Sequence, residues 1–210
     1  MKKILIHCAM QKEAEKIANK MQLKKLENIN KIYMTVDNIY EGKKDNAQID
    51  IVVTGIGKQK TALGLTEYLS KLEYIPDLAI NIGYAGANNT KIGTWVCISK
   101  SYNLEWYIPG EEKYSMKDLG NQELMKLEGL EYIPCYSAET FVTKTDIKEK
   151  CIFDMELHSV TLIADIYKIP LMSLKKVTDN LNIDTYYESI NTQNIMELES
   201  AVRFIEKYII

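Results

Sequence analysis

Three observations predict an α/β domain of three layers, with helices on both sides of a central mixed sheet. Strand-like and helix-like segments alternate along most of the chain. The run at residues 78–82 is continuously apolar, as in strands buried on both faces. Glycine-rich stretches or carboxylates follow directly on the apolar runs, where α/β sheets collect their ligands.

The elements follow in order. Residues 3–8 read as a buried strand. Residues 12–26 read as a helix, with Ala14, Ile17, Ala18 and Met21 on one face. Residues 32–40 and 49–54 read as strands, parted by a polar turn at Gly42-Lys43-Lys44-Asp45. Residues 61–72 form the next helical stripe, through Leu65, Leu69 and Leu72, and Pro76-Asp77 ends it. Strands follow at 78–82 and 95–99. Residues 102–120, aromatic, charged and broken by Pro109-Gly110, read as a long functional loop. Further strands are predicted at 131–136, 140–143 and 151–153, then a helix at 155–167, a strand at 171–177 and a last helix ending at Tyr208.

The 210 residues carry 26 basic and 29 acidic side chains, a formal net charge of -3, which argues against a nucleic-acid binder that depends on a basic surface. This length fits one domain, residues 1–210, and no internal repeat or linker divides it. No apolar run approaches the roughly 18 residues of a membrane span, and Gln11-Lys12-Glu13 interrupts the first strand too early for a signal peptide, so a cytoplasmic protein is expected. Cys8, Cys97, Cys135 and Cys151 form no CxxC pair and read as buried thiols, and no metal or redox cofactor is implied. Arg203 is the one arginine, so an anion elsewhere must be held by lysine, backbone or hydroxyl groups.

At the strand ends stand Glu13, the glycine stretches Gly55-Ile56-Gly57 and Gly83-Tyr84-Ala85-Gly86, Asp154-Met155-Glu156, and Thr178-Asp179. Neither glycine stretch completes a dinucleotide or P-loop pattern. Glu13 also fits a first-turn helix acid, and Asp179 an N-cap.

Six segments in order resemble the nucleoside phosphorylase and nucleosidase superfamily, most of all the 5'-methylthioadenosine/S-adenosylhomocysteine nucleosidases. They are Ala9-Met10-Gln11-Lys12-Glu13, Thr54-Gly55-Ile56-Gly57-Lys58, Asn81-Ile82-Gly83-Tyr84-Ala85-Gly86, Ser137-Ala138-Glu139-Thr140-Phe141-Val142, Asp154-Met155-Glu156 and Val177-Thr178-Asp179. The resemblance covers most of the chain except about residues 102–130 and implies a phosphorylase/nucleosidase-like fold, a small-molecule nucleoside substrate and a homodimer. It implies that Glu13 polarises the attacking water, that Glu156 grips the ribose hydroxyls and that Met155 packs on the sugar. Phe141 would stack on the purine, Val142 meet the base edge through its backbone, and Asp179, beside Thr178, protonate purine N7. The sequence departs from the close relatives at Tyr84, where a small serine or threonine is usual, and at Leu157, after the ribose glutamate. Lys175 stands where arginine is common in the pocket, and Thr94 where aspartate is frequent. A phosphorylase, a futalosine hydrolase-like enzyme and a binding-only member stay open beside the nucleosidase. His158 reads as structural, while Trp106 and Tyr107 either cover the pocket or pack at a subunit contact.

Overall fold

The computed structural model describes residues 1–116, 119–120, 122–191 and 197–209. Its first half is β1 (Lys2–Cys8), α1 (Gln11–Met21), β2 (Lys24–Lys25), β3 (Asn38–Lys44), β4 (Ala47–Val53), α2 (Lys58–Ser70) and β5 (Leu78–Asn88). Then come β6 (Trp95–Asn103), β7 (Glu131–Ser137), β8 (Cys151–Asp154), α3 (Leu157–Tyr167), β9 (Leu171–Asp179), α4 (Ile183–Asn191) and α5 (Val202–Ile209).

The strands form one mixed sheet in the order β2-β3-β4-β1-β5-β8-β7-β6-β9. Because β9 also pairs with β5, the strands β5, β8, β7, β6 and β9 close into a ring. The core has two halves. Ile4, Ile6 and Cys8 of β1 pack with Ala14, Ile17 and Ala18 of α1 and with Val202 and Ile205 of α5. Leu5 of the same strand faces Leu65 and Leu69 of α2 and Val160 and Ala164 of α3. Alternate side chains of one strand thus feed opposite cores, as the three-layer expectation requires. None of the described helices is long and apolar enough to cross a membrane.

Several boundaries differ from the sequence expectation. Helix α1 stops at Met21 and not at residue 26, because Gln22 takes a left-handed conformation (φ 60°) and caps the carbonyls of Ala18 and Asn19. The strand expected at 32–40 begins only at Asn38, since the amides of Met34 and Thr35 donate to the Glu67 carboxylate (2.9 and 2.8 Å) instead of to a neighbouring strand. That strand runs on through the expected turn to Lys44, and the reversal falls at Asp45 (φ 52°). Residues 140–143 are not a strand; they lie in an irregular loop between β7 and β8. The stretch Gly83–Gly86 is not a turn after the strand but part of β5, which keeps its pairing with β9 and bends at a bulge between Ala85 and Gly86. The expected loop at 102–120 starts inside β6, which extends to Asn103, and Lys117 and Asp118 fall outside the described residues.

Gly64 gives a sharp test of this packing. It lies inside α2, where alanine is ordinarily better than glycine by about 1 kcal/mol. A Cβ there would stand 2.7 Å from Thr54 Cγ2 and 2.9 Å from the Thr35 carbonyl oxygen. Gly64→Ala should therefore lower stability by about 1–3 kcal/mol in chemical denaturation, as overpacking does. A gain would mean that α2 sits less closely on Thr54 and the Thr35 backbone.

Candidate active site

The site forms where β1, β8 and β9 end, beside Tyr84–Gly86 within β5, and where α1, α2 and α3 begin. Glu13 lies in the first turn of α1 and is only 2% exposed. Its Oε2 accepts the Met10 amide (2.9 Å), the reach-back half of a capping box, and its Oε1 accepts the Tyr84 amide (3.1 Å). The helix-start role and a place in the site therefore coexist. A Cβ at position 83 would stand 3.1 Å from Glu13 Oε1 and 3.6 Å from Lys175 Nζ, so glycine there lets both side chains approach the strand. Burial pushes the Glu13 carboxyl above its ordinary range, against the pull of the two amides and Lys175.

Beneath the site, Lys175 Nζ contacts Asp154 Oδ2 at 2.7 Å, with both side chains almost wholly buried. Asp154 Oδ2 also accepts the Leu157 amide (2.9 Å), while Oδ1 accepts the Ser137 hydroxyl (2.5 Å). Burial alone would raise this carboxyl, yet Lys175 and the hydrogen-bond donors outweigh it and hold the group below its ordinary range. For Lys175, burial works against the charge, but Asp154 and then Glu156 outweigh it, and the ammonium is held more firmly than usual.

Glu156, the residue before α3, turns its carboxylate to the Gly57 amide (2.9 Å) at the start of α2. Burial, and next the charge of Asp154, push its pKa from 4.5 to about 8. Asp179 ends β9 and is fully buried; its Oδ2 accepts the Thr178 hydroxyl (2.9 Å) and its Oδ1 the Leu181 amide (2.9 Å). Burial again raises its pKa, partly offset by these donors.

Glu13, Glu156 and Asp179 line one cavity, whose roughly 480 Å³ of free space includes part that is open to solvent. Tyr84, Phe141, Met155 and Thr178 line it too. Val142 borders the adjoining recess beside Phe141. Lys175 is the expected site residue that stays under the floor rather than in the wall. Neither Trp106 nor Tyr107 borders the cavity, and Tyr107 is 59% exposed on the loop after β6. His158 is also outside it; burial and next Lys58 lower its pKa to about 4, and its Nε2 lies 3.3 Å from Met116 Sδ. The four cysteines are free and buried. Among the described residues no group of three or more His, Cys, Asp or Glu is placed to hold a metal ion.

One pairing and one residue of the site were not visible in the sequence. Asp154 was noted as part of a motif, but its pairing with Lys175 depends on the strand ring. Tyr186, on α4, enters the cavity wall and packs edge-on against Phe141 with ring centroids 5.5 Å apart. Its hydroxyl is pushed up to about 12, by burial first and then by the charge of Glu13. No sequence signal marks it, since α4 is one of several short amphipathic helices.

Buried carboxyls around a cleft at the carboxyl ends of α/β strands define a small-molecule site of the kind that acid–base enzymes use. Comparison with known proteins gives the family: the family model described as phosphorylase superfamily matches residues 3–209, and the chain belongs to that superfamily. It is 21% identical, over 98% of its length and 97% of the relative's, to a 5'-methylthioadenosine/S-adenosylhomocysteine nucleosidase of Desulfotalea psychrophila. A nucleosidase of the same name from Maridesulfovibrio salexigens is 34% identical over 47% of this chain and 40% of that protein. The apo structure of the Arabidopsis thaliana 5'-methylthioadenosine nucleosidase superposes with a TM-score of 0.85 at 20% identity, covering 100% of this chain and 96% of that one.

The raised pKa of Glu156 has a consequence for stability. Below its ordinary value of 4.5 both folded and unfolded chains hold the proton, and between there and about 8 only the folded chain does. The contribution of this group therefore falls as pH rises through that window and levels off above it. Glu156→Gln removes the titration. Its melting temperature relative to the unmutated protein should rise steadily from pH 5 to pH 8, and parallel curves would show that Glu156 titrates normally.

Proposed function

We propose that the protein hydrolyses the N-glycosidic bond of an adenine nucleoside, 5'-methylthioadenosine or S-adenosylhomocysteine. The observation that carries this reading is the convergence of Glu13, Glu156 and Asp179, all buried and all with raised pKa values, on one cavity with an aromatic wall. The named activities of the full-length relative and of the Arabidopsis structure support it.

Cleavage of such a bond passes through an oxocarbenium-like sugar, and the purine leaves readily only if its developing charge is neutralised. A carboxyl at Asp179 that keeps its proton longer than usual is suited to deliver it to N7. Glu13 orients water and, once ionised, faces the cationic sugar with negative charge. Glu156, once ionised, accepts both ribose hydroxyls, which selects against deoxysugars, and Met155 packs beside the sugar. Phe141 stacks on the base, and Val142 meets the base edge through its backbone. Thr178 orients Asp179 through the hydrogen bond already described. Tyr84 narrows the space beneath the sugar and leaves a place for water.

Water is favoured over phosphate as nucleophile for a specific reason. Lys175 is engaged by Asp154, Arg203 is exposed on α5, and no lysine or arginine lines the cavity among the described residues, so a phosphate would find no cation in its wall. Ile56 borders the cavity yet is 48% exposed, which fits a homodimer whose second subunit covers that rim. Free buried thiols fit a cytoplasmic setting.

Methylthioadenosine in phosphate-free buffer should yield adenine and free methylthioribose. Asp179→Asn should lower turnover by a factor on the order of 10². Glu13→Gln should abolish turnover while leaving nucleoside binding largely intact. Strict dependence on phosphate, or faster cleavage of inosine or futalosine, would overturn the assignment.

A further inference from the structure

Helix α2 begins without a side-chain cap of its own: its N-cap is Gly57, at φ 106°. Two carboxylates from distant segments take the first amides instead. Gly57 N–H donates to Glu156 Oε1 (2.9 Å), and Lys58 N–H donates to Glu139 Oε2 (2.9 Å). Consecutive amides thus bind one carboxylate on the cavity and one on the loop that carries Phe141. The fit is close, since a Cβ at Gly57 would stand 2.9 Å from Glu139 Oε1.

Glu139 is held a second time. Its own amide donates to Glu105 Oε1 (2.7 Å), and the other oxygen of Glu105 pairs with the Lys58 ammonium, which also donates to Asn103 Oδ1 (2.6 Å). Lys58, Glu139 and Glu105 therefore close a ring joining the start of α2, the loop after β6 and the loop after β7. Phe141, two residues past this ring, sits in a stretch with no regular backbone ladder.

We propose that Glu139 is a positioning residue, which fixes the base-stacking Phe141 in register with the ribose carboxylate Glu156 through adjacent amides of α2. This rests on the nucleosidase reading above. The role is separable from catalysis, because Glu139 does not border the cavity and Phe141 does. Loss of the clasp loosens the hold on the purine and leaves the acid–base groups in place.

Adenine binding by calorimetry and methylthioadenosine kinetics should be measured on the unmutated protein, Glu139→Ala, Glu139→Gln, Phe141→Ala and the Glu139→Ala/Phe141→Ala double variant. Glu139→Ala should raise both the adenine Kd and the KM about 10-fold, the order of one charge-assisted hydrogen bond, with kcat within about 3-fold. On the Phe141→Ala background it should add less than about 2-fold, because the two residues act on one contact. Glu139→Gln, which still offers an acceptor to Lys58 N–H, should recover most of the affinity. Glu105→Ala, at an exposed residue, should shift KM in the same direction and covers the case in which Glu139→Ala does not fold. Additive losses, a loss confined to kcat, or unchanged adenine affinity in Glu139→Ala or Glu105→Ala would overturn the inference. An unmutated protein that neither binds adenine nor releases it would instead overturn the functional reading, and this inference with it.

Discussion

The contact between Lys175 and Asp154 organises the floor of the site. Burying two charges costs several kcal/mol each unless they pair closely and the remaining lone pairs are filled. Here they are filled: Asp154 receives Lys175 from β9, the Ser137 hydroxyl from β7 and the Leu157 amide that opens α3. The Ser137 hydroxyl in turn accepts the His158 amide (2.9 Å), so the start of α3 is fixed twice. Losing either partner would leave an uncompensated charge under the cavity, while the intact pair ties two strands of the ring to the helix that follows Glu156.

That pair also sets the proton state of what lies above it. Burial and then the negative Asp154 outweigh the pull of Lys175 on Glu156, and its carboxyl is pushed up. Helix starts supply part of the missing positive potential: Glu13 opens α1, Gly57 presents an amide from the start of α2, and Glu156 precedes α3. Substrate carboxylates or phosphates have little to attract them here. A neutral sugar diol, an electron-poor oxocarbenium ion and a basic purine nitrogen fit this charge pattern far better. Lysine in place of a planar arginine strengthens the point, since its ammonium is paired with Asp154 and lacks the planar fork that clamps an anion.

Much of this was legible in the sequence because parallel strands announce themselves as continuous apolar runs. The segments that became β1, β4, β5 and β9 were readable for that reason, and the acids that follow β1, β8 and β9 could be singled out by position alone. What failed did so through contacts remote in sequence. The β-branched and aromatic residues at 140–143 have strand propensity, but the Glu139 clasp and the cavity hold them as a loop. Residues 34 and 35 lost their ladder to Glu67, 33 and 32 positions away. Lys175 looked like a cation facing the ligand, and only closure of the strand ring shows that it is spent on Asp154. Likewise the polar chain Thr54–His7–Asn81–Ser173, which crosses β1, β5 and β9 below the site, has no motif; its members meet by strand register.

The charge arrangement is tested most directly by a carbon-13 NMR titration of the glutamate carboxyls in the unliganded protein. Glu156 should titrate at about 8, because burial and then the charge of Asp154 outweigh the pull of Lys175. A midpoint in the ordinary glutamate range, about 4.3, would contradict a site built on one committed ion pair with proton-holding carboxyls above it.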